Sequence, residues 1–64
     1  MFIVSKFYPI QERYVPFAVT SDLEGAKQMA RFNSNHPILW DQPKHKFGYH
    51  GTNAIGQKFI IDKI

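Results

Sequence analysis

At 64 residues the chain is a single small domain, 1–64, and a chain of this size buries only about 60% of the surface its unfolded form exposes. It has no cysteine, which excludes a disulfide staple and a thiolate metal site and fits a reducing compartment. The net charge of +3 and pI of ≈ 9.5 are basic but moderate, so charge alone does not single out nucleic acid as the ligand. The core has to come from the hydrophobic 44%, which includes six Phe, three Tyr and one Trp; large rings bury much area each and help a small core. Met1-Phe2-Ile3-Val4 enters strand-like sequence directly, so no signal peptide is expected. No apolar run approaches the roughly 20 residues of a membrane helix. The expected setting is the cytoplasm, with no membrane partner.

Phe2–Tyr8 is rich in β-branched and aromatic residues and predicts a first strand that Pro9 ends. Gln11, Glu12 and Arg13 form a polar connection of hairpin length. Residues 14–20 predict a second strand with Val15, Phe17 and Val19 on one face. Pro16 cannot donate to a ladder, so this strand belongs at an edge or carries a bulge. Ser21-Asp22-Leu23-Glu24 reads as a capping box with Ser21 as the cap. The helix that follows carries Leu23, Ala26, Met29 and Ala30 as its buried stripe and Glu24, Lys27, Gln28 and Arg31 on its wet side. Asn33 and Asn35 are candidate stops, and Pro37 lies beyond the end.

Ile38-Leu39-Trp40 reads as an apolar patch over one end of the core, and residues 46–49 as a brief strand. Gly51-Thr52-Asn53-Ala54-Ile55-Gly56 is turn chemistry. Residues 57–64 predict the last strand, with Phe59 and Ile61 on one face and Ile60 and Ile64 on the other, which suits a central place in the sheet. The expected fold is α+β: a small, mostly antiparallel sheet of three to four strands with one helix packed on it, in the order β-β-α-(β)-β.

Catalytic and metal chemistry find little support. His36, His45 and His50 supply enough imidazoles for a zinc site, but only Asp41 lies nearby and no helical spacing aims the rings together. The spacing from Gly51 to Gly56 matches a phosphate loop, yet Gln57 and Lys58 stand where Lys and Ser or Thr are required, and a strand follows. Ser21 is explained as a cap, and no Ser, His and carboxylate share a motif. The chain is read as a non-enzyme, with no cofactor and no metal.

The positive signal is charge and aromaticity together. No acidic residue occurs between Asp41 and Asp62, while Lys44, His45, Lys46, Phe47, Tyr49, His50 and Lys58 do, with Trp40 just before. Trp40, Phe47 and Tyr49 suit stacking or anchoring, and Lys44, Lys46 and Lys58 suit an anionic partner. The plainer alternative makes Trp40 and Phe47 core lids and leaves the lysines solvated. A second cluster, Lys6, Tyr8, Arg13 and Tyr14, surrounds the first hairpin, where cations also guard edges.

Val15-Pro16-Phe17-Ala18-Val19-Thr20, then Leu23-Glu24-Gly25-Ala26 and Ala30-Arg31-Phe32, resembles the middle of the short RNA-polymerase inhibitor proteins of lytic coliphages. The match covers residues 15–32, under a third of the chain, with a one-residue shift at the helix start. The resemblance implies a β-β-α-β layout and a protein that binds the large subunit of the host polymerase and blocks transcription without chemistry of its own. The arginines of that family's last strand have no counterpart in Phe59-Ile60-Ile61-Asp62-Lys63-Ile64, so no functional residue carries over there.

The expectation is thus a small interaction protein, phage-type, that binds and inhibits a host protein, with RNA polymerase as first candidate. Its expected partner-binding residues are Trp40, Lys44, Lys46, Phe47, Tyr49, Lys58, Arg13 and Tyr14. The runner-up is a small basic domain for single-stranded nucleic acid. Either a monomer or a homodimer is compatible with the pattern.

Overall fold

The computed structural model describes residues 1–41 and 48–64. Phe2–Tyr8 (β1) and Arg13–Thr20 (β2) form an antiparallel hairpin, as their β-branched and aromatic content predicts. In the turn between them the Glu12 amide donates to the Pro9 carbonyl at 3.2 Å. Glu12 sits at φ 54°, a left-handed conformation uncommon for a residue with a Cβ.

β2 lies at the sheet edge, and its register against β1 slips once. Val4 faces Ala18 but Ser5 faces Pro16, leaving Phe17 as the extra residue of a bulge. Pro16 therefore occupies both of the settings that tolerate proline in a sheet. The bulge also breaks the alternation expected for Val15, Phe17 and Val19. Phe17 and Ala18 both pack on the core, while Val19, opposite Ile3, moves to the other face and is 55% exposed.

The helix, α1, spans Leu23–Ser34. Its cap is Asp22 rather than Ser21: the Gly25 amide donates to the Asp22 carboxylate at 2.6 Å. The Thr20 hydroxyl donates to the Asp22 carbonyl at 2.8 Å and braces the same turn. The start thus shifts by one residue, and Gly25 takes the position a capping box gives to Glu. A Cβ at Gly25 would stand 2.9 Å from the Asp22 Oδ1, so the close approach that glycine permits is to the cap itself. The helix ends at Asn35, at φ 59°, whose amide donates to the Arg31 carbonyl at 3.2 Å.

Ala26, Ala30 and Ser34 are the buried row of α1, and their small side chains let the helix lie close to the sheet. Met29, expected in this row, is 41% exposed. At 3.6 residues per turn it points roughly 100° from the middle of the row.

Ile38–Asp41 (β3), Gly48–Asn53 (β4) and Lys58–Lys63 (β5) complete an antiparallel sheet in the order β2-β1-β5-β4-β3. One helix on a small antiparallel sheet is the class expected, with five strands where three to four were predicted. The additional strand is Ile38-Leu39-Trp40-Asp41, which pairs with β4 instead of lying as a lid. Gly51, Thr52 and Asn53 belong to β4, and the turn occupies residues 54–57. β5 is the central strand, as its two apolar faces predicted.

Val4, Ala26, Ala30, Phe59 and Ile61 form the fully buried core between sheet and helix. Phe2, Phe17, Ala18, Leu23, Ile38, Trp40 and Tyr49 pack against it. The Phe17 ring meets Phe59 edge-on with centroids 6.4 Å apart. Opposite partners in a ladder share a face. Ile3, Ser5, Phe7, Tyr14, Val19, Ile60 and Leu39 therefore point to the side away from α1, which no described element covers.

Candidate functional site

The alternation of β1 and β2 brings three of the expected residues to one end of the molecule. Tyr14 pairs with Phe7, and the two rings pack at 5.1 Å with an interplanar angle of 55°. Lys58, at the start of β5, holds its Nζ 5.8 Å from the Phe7 centroid. Arg13 pairs with Tyr8 at the mouth of the hairpin and is exposed. On the helix side of the same strand, the Lys6 Nζ lies 5.9 Å from both the Tyr8 and the Phe59 ring centroids.

β1 and β5 stop pairing at Lys6 and Phe59, and beyond that point the two turns diverge. Between them opens a cleft of ≈ 310 Å³ lined by Lys6, Phe7, Tyr8, Pro9, Ile55, Gly56, Gln57 and Lys58. Its far wall is a rigid turn. The Asn53 Oδ1 accepts from the Ile55 amide at 3.2 Å and the Gln57 amide at 2.9 Å, and Gly56 adopts φ 84°. Asn53 also donates from Nδ2 to the Ser34 hydroxyl and to the Gln57 Oε1, both at 2.8 Å, so the wall is tied to the end of α1. At the two tips stand bare apolar side chains: Ile10 is 99% exposed and Ile55 61%.

No protein-family model, no curated protein and no solved structure matches this chain. The geometry therefore carries the functional reading.

Trp40 and Tyr49 lie apart from this end. Both are half-buried and pack against the core on the helix side. The Trp40 ring rests over Gly51, where a Cβ would come within 2.7 Å of it, an aromatic covering a strand glycine. Tyr49 lies under the Lys27 ammonium, 5.4 Å from Nζ to centroid. Lys44, Lys46 and Phe47 lie outside the described residues. Among the described residues no three His, Asp or Glu side chains are grouped to hold a metal ion, and no helix is long and apolar enough to cross a membrane.

The sequence pointed to Lys6, Tyr8, Arg13 and Tyr14 around the hairpin but not to Phe7, Ile10 or Ile55. The signal for Phe7 was its odd-numbered place in β1, beside Ile3 and Ser5 on the uncovered face. Nothing local marked Ile10 or Ile55, because the proximity of the two turns arises only when β5 inserts between β1 and β4.

Proposed function

We propose that this chain is a non-enzymatic interaction protein that grips an acidic protein surface with the end of the sheet formed by Lys6, Phe7, Tyr8, Arg13, Tyr14 and Lys58. The observation that carries the reading is a cleft of rings and cations that includes the exposed Ile55, with the fully exposed Ile10 next in sequence to its Pro9 wall. Apolar tips around an aromatic and cationic centre are the anatomy of a protein-binding hot spot. A phosphate backbone would gain nothing from either isoleucine, whereas a protein partner can cover both. The resemblance of residues 15–32 to the coliphage inhibitors makes bacterial RNA polymerase the first partner to test, in a host cytoplasm, with inhibition as the consequence.

The test is capture of purified bacterial RNA polymerase by the immobilised chain, beside a single-stranded oligonucleotide of matched length. Stoichiometric capture of polymerase that withstands high salt, weakened at least about tenfold by Ile55→Glu or Lys58→Glu, supports the reading. Binding of the oligonucleotide alone, lost steeply as salt rises, would replace it with a single-strand-binding role.

A further inference from the structure

The uncovered sheet face carries a second feature, which shares Phe7 and Lys58 with the cleft. On the central strand β5, Lys58, Ile60 and Asp62 all point to this face, with the cation two residues before the isoleucine and the carboxylate two residues after it. Asp62 is held there over Gly48, where a Cβ would stand 3.2 Å from its Oδ1. Apolar residues flank this line on β1 and β2: Ile3, Phe7, Tyr14 and Val19.

We infer that this face packs against a second copy of the chain, about a two-fold axis that lies in the interface across the strands and passes over Ile60. Such an axis reverses strand direction and keeps each strand over its own counterpart. Ile60 then meets Ile60 of the partner subunit. Lys58 of each copy meets the partner's Asp62, so two ion pairs close symmetrically around an apolar centre. On β1 the same operation sets Ile3 against the partner's Phe7, with Ser5 on the axis. On β2 it sets Tyr14 against the partner's Val19, and on the edge strand β3 it leaves Asp41 on the axis beside His50 of β4, one like-charge contact at the rim against two ion pairs at the centre. A two-fold axis parallel to the strands would instead place like charges together at both positions, and this arrangement is disfavoured.

The molecule measures 27 × 22 × 20 Å. One sheet face therefore offers on the order of 500 Å² per copy, below the roughly 800 Å² per partner of stable complexes, and the dimer exchanges readily with monomer. Dimerisation covers Phe7, Tyr14 and Lys58, so it competes with the partner binding proposed above, although it does not depend on that reading.

Sedimentation equilibrium of the purified chain alone tests the inference, with K58D, D62K, their equimolar mixture and the K58D/D62K double variant. Both side chains are exposed, and far-UV circular dichroism confirms that each variant folds. The wild type should dimerise reversibly. Each single variant should dimerise at least about tenfold more weakly, because like charges then face each other twice. The mixture should regain dimerisation as a heterodimer, since the carboxylate placed at 58 on one chain meets the ammonium placed at 62 on the other, and the double variant should regain it as a homodimer. A wild type that stays monomeric at the highest attainable concentration overturns the proposal. So do single variants that dimerise as well as wild type, or a mixture that fails to recover. None of these outcomes bears on polymerase capture, so the two readings fail separately.

Discussion

The Asn53 side chain makes four hydrogen bonds in a domain whose buried polar side chains are otherwise Ser5 and Ser34 among the described residues. Its two donors and one shared acceptor leave no polar atom idle, and they join the β4–β5 turn to the end of α1. Asn53→Ala strands the Gln57 and Ile55 amides and removes the Nδ2 bonds to the Gln57 Oε1 and to the Ser34 hydroxyl, which keeps its bonds to the His36 backbone. It should lower unfolding stability by about 2–3 kcal/mol, read as a fall in the urea midpoint at unchanged slope. Gly51→Ala is a test of a different kind. A Cβ there meets the Trp40 ring at 2.7 Å and the Ile38 Cγ2 at 2.5 Å, so the ring must leave its place over β4. The expected cost is about 1–3 kcal/mol, accompanied by a red shift in the fluorescence of Trp40, the chain's one tryptophan. Glu12 works in the opposite direction. At φ 54° it bears a strain that glycine does not, and Glu12→Gly should raise stability by roughly 0.5–1 kcal/mol, measured by the same denaturation. Of these three positions, the turn character of Asn53 was legible in the sequence. The roles of Gly51 and Glu12 were not, because one depends on a ring from another strand and the other on the exact loop geometry.

Elements are legible in the sequence where the signal is local, and shift by a residue or more where two local solutions compete. Ser21 and Asp22 are both good helix caps. Thr20 decides between them by bonding the Asp22 carbonyl, which fixes Asp22 as the last non-helical residue. Asp22→Ala should therefore cost about 1 kcal/mol, while Ser21→Ala should cost close to nothing; equal losses would mean that the cap is shared. The Pro16 edge was legible because proline forbids an interior ladder position. The bulge at Phe17 gave no local sign of which residue it would eject, and it sent Val19 to the open face and Ala18 to the core. β3 was hidden for another reason. Four residues with Leu39 at 81% exposure form a strand only because β4 offers a paired edge.

At the scale of the whole molecule, a single helix cannot cover both sides of five strands, and the composition of the bare side is informative. It combines Ile3, Val19, Ile60 and Leu39 with the Phe7–Tyr14 pair, Lys58 and Asp62. Apolar area with both signs of charge suits protein contact better than phosphate. If an acidic protein is the partner, the association rate should fall as ionic strength rises while the dissociation rate changes little, because Lys6, Arg13 and Lys58 steer the encounter and the rings and isoleucines hold the complex. Stopped-flow measurement at two salt concentrations checks this. A dissociation rate that carries the whole salt effect would place the cations inside the contact rather than at its rim.

The sequence by itself determined the class of the fold: strand periodicity, one capped amphipathic helix, and a last strand apolar on both faces and therefore central. These are local or pairwise properties, written in spacing and in the backbone limits of proline and the cap residues. Only the tertiary structure decided which aromatics serve the core and which remain free. Trp40 and Tyr49, the most conspicuous rings of the basic segment, pack on the helix side, whereas Phe7 and Tyr14 face outward beside Lys58. The reason is that exposure depends on strand order and on a one-residue bulge. Inserting β5 between β1 and β4 joins two turns more than forty residues apart in the chain into one cleft, and no local pattern encodes that junction.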